Sequence, residues 1–142
     1  PLDSTAKTTL NLSTADLAGL PQTERVQRRT LASSDSASQP ALEQSVRYSG
    51  VLLRDVLARA VPADNHRAAR TLVFEAVATD GYRAVFTWGE LFNSSAGEQV
   101  LVISAQDGRP LGTEQGPLAL RALADLRPGP RHVRNLCGLA LR

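Results

Sequence analysis

Five consecutive residues, Arg131-His132-Val133-Arg134-Asn135, place two guanidinium groups, an imidazole and a carboxamide side by side. Groups of this kind recognise planar, polar, nitrogen-rich or anionic ligands through paired hydrogen bonds. If a strand begins near Arg131, alternation puts Arg131, Val133 and Asn135 on one side and His132 with Arg134 on the other. His132 and Arg134 would then act together. The same pattern also describes a charged strand edge that resists aggregation, and these residues alone leave both readings open. Cys137 is the only thiol, and His132 lies five residues upstream as a potential base. Yet Leu136-Cys137-Gly138-Leu139-Ala140-Leu141 is an apolar run in which cysteine packs as a small hydrophobe, and packing is the expectation. His66 sits in the polar stretch Asp64-Asn65-His66-Arg67 and reads as solvated. Ser33, Ser34 and Ser36 have no nucleophile-elbow pattern around them. Asp80 and Asp107 each precede a glycine, so they brace turns rather than form an acid/base pair. Trp88, the single tryptophan, packs in the core or stacks on a ligand ring.

These residues must be held by elements that the chain spells out unevenly. Leu10 to Leu17 predicts a short strand and a turn of helix capped by Ser13 or Thr14, with Asp16 at its positive end. Glu24 to Thr30 predicts a strand carrying Val26 inward. Ala32 to Gln44 is rich in Ser, Ala and Gln, holds little to bury, and is expected to be a flexible loop at 32–44. Tyr48-Ser49-Gly50 introduces a helix from Val51 to Val61, with Leu52, Leu53, Val56, Leu57 and Ala60 on one face and Pro62 as the stop. Thr71 to Ala78 and Tyr82 to Thr87 form a hairpin about Asp80-Gly81, because glycine accepts the positive φ that tight hairpins need. Trp88 to Phe92 reads as a helical turn and Val100 to Ala105 as a buried strand. Asp107-Gly108 makes a second hairpin turn, and Leu118–Leu123 and Val133–Leu141 are closing strands. The sum is α+β: one compact domain over 1–142, a β-rich mixed core with short helices.

Composition narrows the function classes. With 142 residues the chain buries a substantial core without metals or disulfides. A net charge of +2, with three Phe, two Tyr and one Trp, offers neither basic surface nor stacking platform for nucleic acid. One cysteine excludes an internal disulfide, no Cys/His pair has zinc spacing, and no apolar run reaches membrane-spanning length. The chain starts at Pro1, as a mature exported protein or a trimmed one would, and its lack of Met suits an oxidising envelope compartment.

From Tyr48 onward the order of motifs resembles the sulfite-oxidase-type molybdopterin-binding domain family. The matching pieces are Tyr48-Ser49-Gly50-Val51-Leu52-Leu53-Arg54-Asp55-Val56-Leu57, Asp80-Gly81-Tyr82, Asp107-Gly108-Arg109-Pro110-Leu111, Gly116-Pro117-Leu118 and His132-Val133-Arg134-Asn135-Leu136, with Leu10 to Leu17 fitting the family's opening strand and turn. Each piece is short; their order carries the resemblance, which covers all but the 32–44 loop. Three departures fall on the family's metal side. Where the resemblance implies a molybdenum-ligating cysteine, the chain has Thr30-Leu31-Ala32-Ser33-Ser34, and a hydroxyl is a poor substitute for a soft thiolate. The family's His before the Gly-Pro turn corresponds to Gln115, and its Arg after that turn to Ala119, with Arg121 two residues on.

The resemblance therefore implies a binding protein rather than an enzyme, similar to small exported members of this fold that hold a reduced pterin without molybdenum. The expected site is lined by Trp88, Arg121, Arg131, His132, Arg134 and Asn135. The expected setting is the periplasm, with the periplasmic part of a membrane signalling protein as partner. The alternatives are a molybdenum-cofactor oxidoreductase and a ligand-free protein-interaction domain, the latter calling for a flat surface at Arg131–Asn135.

Overall fold

A computed structural model describes residues 8–31, 42–60, 70–127 and 129–142. Two antiparallel sheets carry the architecture. The first has the order β1-β9-β4-β5, built from β1 (Thr8–Asn11), β4 (Val73–Ala78), β5 (Arg83–Thr87) and β9 (Leu136–Leu141). In the second, β2 (Thr23–Leu31), β3 (Leu42–Leu52), β6 (Val100–Gln106) and β7 (Arg109–Pro110) lie in order, and β8 (Ala119–Ala122) also pairs with β6. Between the sheets lies the larger core, where Phe74, Phe86, Leu120, Leu139 and Val102 meet Leu53 and Leu57 of α1 (Leu53–Ala60) and Leu91 of α2 (Trp88–Phe92). Val46, Tyr48, Leu101, Ile103 and Ala119 form a smaller cluster on the other face of the second sheet. The expected β-rich α+β fold is what the chain forms, and no helix among the described residues is long and apolar enough to cross a membrane.

Local chemistry accounts for the elements. Asp16 Oδ2 accepts from both the amide (2.8 Å) and the hydroxyl (3.0 Å) of Ser13, closing the one-turn 3-10 helix Thr14–Leu17 as anticipated. Asp107 (φ 52°) and Gly108 (φ 79°) both take positive φ, the pairing a two-residue hairpin between β6 and β7 requires. Asp80 Oδ1 accepts from the Tyr82 amide (2.9 Å) and braces its own turn as expected, whereas Asp107 Oδ1 accepts from the Arg47 amide (2.9 Å) and ties its turn to β3.

Three expectations need correction. The segment Gly50–Leu52 is strand, not the start of the helix: Gly50, Val51 and Leu52 pair with Ile103, Val102 and Leu101, and α1 begins at Leu53. Gly50 is required there, since a Cβ would stand 2.0 Å from the Val102 carbonyl oxygen. The loop expected at 32–44 does not include its last three positions. Positions 32–41 lie outside the described residues, but Leu42, Glu43 and Gln44 pair with Leu31, Thr30 and Arg29 in the β2–β3 hairpin. Val26 faces solvent, 59 % exposed, because β2 turns Thr23, Arg25 and Gln27 toward the molecule instead. Pro62, His66 and the three serines at 33, 34 and 36 lie outside the described residues.

Candidate functional site

Residues 129–135 do not form the strand expected from Arg131. Gly129–Arg131 is a 3-10 turn, and a single bridge at Val133 follows, its amide and carbonyl exchanging hydrogen bonds with Leu120 at 3.0 and 2.8 Å. Asn135 then takes φ 52° and β9 begins at Leu136. Strand alternation is absent here, yet His132 and Arg134 still fall together, because both line the same concavity. That hollow, about 320 Å³, is bounded by them together with Asp80, Tyr82 and Gly129.

Tyr82 extends from the β4–β5 turn and its hydroxyl donates to the carbonyl of Pro130, so the hairpin and the 129–131 turn are joined across the hollow. Asp80 Oδ1 is occupied by the Tyr82 amide, and its second oxygen accepts no hydrogen bond from the described residues. His132 is half-buried, with Nε2 3.1 Å from Gln115 Oε1, while Arg134 is exposed at the rim. A second concavity of about 370 Å³ is bordered by Gln106, Arg109, Leu111, Glu114 and Gln115.

Other expected site residues sit elsewhere. Arg131 is consumed by protein contacts: Nη1 and Nη2 grip Glu90 (2.9 and 2.7 Å), Nε and Nη2 grip Asp125 (2.8 and 2.5 Å), and Nη1 also reaches the Val85 carbonyl (3.1 Å). All five N–H donors of the guanidinium are thereby engaged. The cation stands 4.3 Å from the Phe86 ring centroid, and the two carboxylates raise its pKa further above the ordinary arginine range, hydrogen bonding to Asp125 being the largest cause. It is a structural clamp that leaves no donor for a ligand. Trp88 packs on the main core, stacked with Phe92 at 5.7 Å, with Arg70 5.1 Å from its ring.

Arg121 shares a face of β8 with Ala119, as expected, but that face carries the smaller core. The side chain is buried there, 5.0 Å from the Tyr48 ring, and touches Gln115 Oε1 at 3.5 Å. Asn135 binds backbone: its amide nitrogen donates to the Gln115 carbonyl (2.8 Å), and its carboxamide nitrogen faces the carbonyls of Gly116 (2.6 Å) and Thr113 (3.3 Å).

Sequence reasoning missed Asp80 and Tyr82 as site residues. Asp80-Gly81-Tyr82 was legible as turn chemistry and as one piece of the family resemblance, and nothing in the sequence places that turn opposite residues 129–134. Cys137 behaves as expected of a packed thiol: it sits half-buried on β9 with Sγ donating to the Val77 carbonyl (3.4 Å).

The hollow's donor set suits a small flat heterocycle. Its volume lies at the lower end of the ~300–1,000 Å³ typical of ligand sites. A carboxylate accepts from ring N–H and amino groups, a guanidinium donates to ring carbonyls or a phosphate, and the Tyr82 ring supplies an aromatic wall. No group of three or more His, Cys, Asp or Glu among the described residues could hold a metal ion. Of the stretch Thr30–Ser34, which corresponds to the family's metal-binding cysteine, Thr30 and Leu31 end β2 and positions 32–34 lie outside the described residues.

A model of the oxidoreductase molybdopterin binding domain matches residues 2–142. No curated protein matches the chain.

Proposed function

This chain belongs to the oxidoreductase molybdopterin-binding domain family over residues 2–142, and from that membership we propose that it binds a reduced pterin without molybdenum and works as a binding protein rather than an enzyme. The observation that carries the proposal is the convergence of Asp80, His132 and Arg134 with the Tyr82 ring on one concavity of about 320 Å³. When bound, a pterin supplies a ring edge with both donors and acceptors. Asp80 would accept from its amino and ring N–H groups, Arg134 would donate to its carbonyl or to an attached phosphate, and the Tyr82 ring would cover a face. The metal-free part of the proposal is supported by the thiol inventory: the chain has one cysteine, Cys137, which hydrogen-bonds within the sheet and lines neither concavity. The reading as a ligand-free interaction domain called for a flat surface at Arg131–Asn135, and that segment borders a hollow instead.

Titration calorimetry with tetrahydropterin tests the site. Binding should be lost in His132→Ala and Arg134→Ala and kept in Arg28→Ala, which alters an exposed position of β2. No heat at high micromolar ligand refutes the proposal, and stoichiometric molybdenum in protein from a cofactor-competent host replaces it with the oxidoreductase. The proposed setting, the periplasm and a membrane signalling partner, is supported by the resemblance to small exported members. Cell fractionation of the native host and cross-linking with and without pterin test that part.

A further inference from the structure

Gln115 lines the larger concavity and reaches His132 at the hollow, and its side-chain amide meets three polar groups. Oε1 lies 3.1 Å from His132 Nε2 and 3.5 Å from Arg121 Nη2, while Nε2 donates to Gln106 Oε1 at 3.3 Å. A guanidinium has donors and no acceptor, so the Gln115 atom that faces Arg121 must be the oxygen. That decides the orientation of the amide. The same oxygen faces His132 Nε2, and a carbonyl oxygen only accepts, so Nε2 must carry a proton.

We infer that Gln115 is a positioning residue which, oriented by Arg121 and Gln106, fixes His132 as its Nε2–H tautomer at the wall of the hollow. In the neutral ring Nδ1 is then an acceptor only. The main chain reinforces the arrangement, because the Gln115 carbonyl accepts from the Asn135 amide at 2.8 Å. Gln115 thus ties the 132–135 segment on both sides of Val133, through its side chain at one end and its backbone at the other. A buried arginine on the opposite face of β8 thereby sets the chemistry of an imidazole at the pocket. The tautomer claim stands on the geometry; its consequence for ligand affinity rests on the proposed pterin site.

Nitrogen NMR of the full chain labelled at histidine, without ligand, reads the tautomer directly. His132 should show a protonated Nε2 whose proton exchanges slowly with water. Gln115→Glu keeps an acceptor and should keep that signature, whereas Gln115→Leu should lose the slow exchange and weaken tetrahydropterin binding about tenfold, or 1.4 kcal/mol. An Nδ1–H ring in the wild type overturns the inference, as does unchanged slow exchange in Gln115→Leu. The wild-type and Gln115→Glu measurements decide the matter whether or not Gln115→Leu folds. An Nε2–H ring with no pterin binding upholds the inference and refutes the pterin reading. An Nδ1–H ring in a protein that binds pterin does the reverse.

Discussion

Replacing Arg131 by methionine should destabilise the fold severely. The guanidinium makes two forked contacts, one with Glu90 and one with Asp125, at 2.5–2.9 Å. The three side chains are 23 %, 27 % and 21 % exposed, so solvent screening is partial rather than complete. Methionine fills similar apolar volume but leaves two carboxylates facing each other without their cation. Removing one partner of a largely buried ionic group costs ~3–5 kcal/mol, and the lost contact with Phe86 adds ~0.5–1 kcal/mol. Because such contributions overlap, about 4 kcal/mol is a reasonable total.

The unfolding entropy of about 2.1 cal/mol/K per residue gives about 0.3 kcal/mol/K for 142 residues. Arg131→Met should therefore lower Tm by about 13 °C in a calorimetric or circular-dichroism melt. The triple variant Arg131→Met, Glu90→Gln, Asp125→Asn should recover more than half of that loss, since most of the cost lies in the uncompensated carboxylates. A fall of less than ~4 °C for the single variant, or no recovery in the triple one, refutes the account of Arg131 as a clamp.

Two further outcomes follow from the packing. Glu75 is 8 % exposed and bonds Arg83 at 2.8 Å and Arg142, so Glu75→Gln should cost about 3 kcal/mol, read as a drop in the urea midpoint with an unchanged slope. Gly50→Ala drives a Cβ to 2.0 Å from the Val102 oxygen, a backbone atom that cannot swing aside; a loss of about 3 kcal/mol or more is expected, and a melt within 3 °C of wild type would show that β3 and β6 can separate.

How much of this was legible depended on whether a decision was local. The Asp-Gly turns and the β4–β5 hairpin were readable because turn residues and period-two runs act over a few positions. For β2 the period was right and the phase wrong. Thr, Arg and Gln at 23, 25 and 27 face inward, and an isolated Val26 cannot outweigh the register fixed by pairing with β3. Gly50-Val51-Leu52-Leu53 is apolar enough to serve as strand or helix, and only the partner residues Leu101–Ile103 decide that strand continues to Leu52. The site shows the same division. A donor-rich loop was visible, but an arginine that binds a ligand and one that binds Glu90, 41 residues away, have the same sequence.

That division changes which charge the hollow presents. Of the three arginines expected at the ligand, Arg131 is neutralised by two carboxylates and Arg121 lies on the other face of the sheet beside Tyr48. Among the described lining residues, Arg134 is the one arginine and Asp80 the one carboxylate. A nucleotide polyphosphate or another multiply charged anion would meet repulsion from Asp80 as well as attraction from Arg134. A near-neutral ring that needs an acceptor on one edge and a donor on another meets both. Under the proposed pterin reading, the clamp at Arg131 would contribute to selectivity by absence: a cation tied to Glu90 and Asp125 would not turn the hollow into a general anion site, and recognition would fall to Asp80, His132 and Arg134 acting on a ring of mixed polarity.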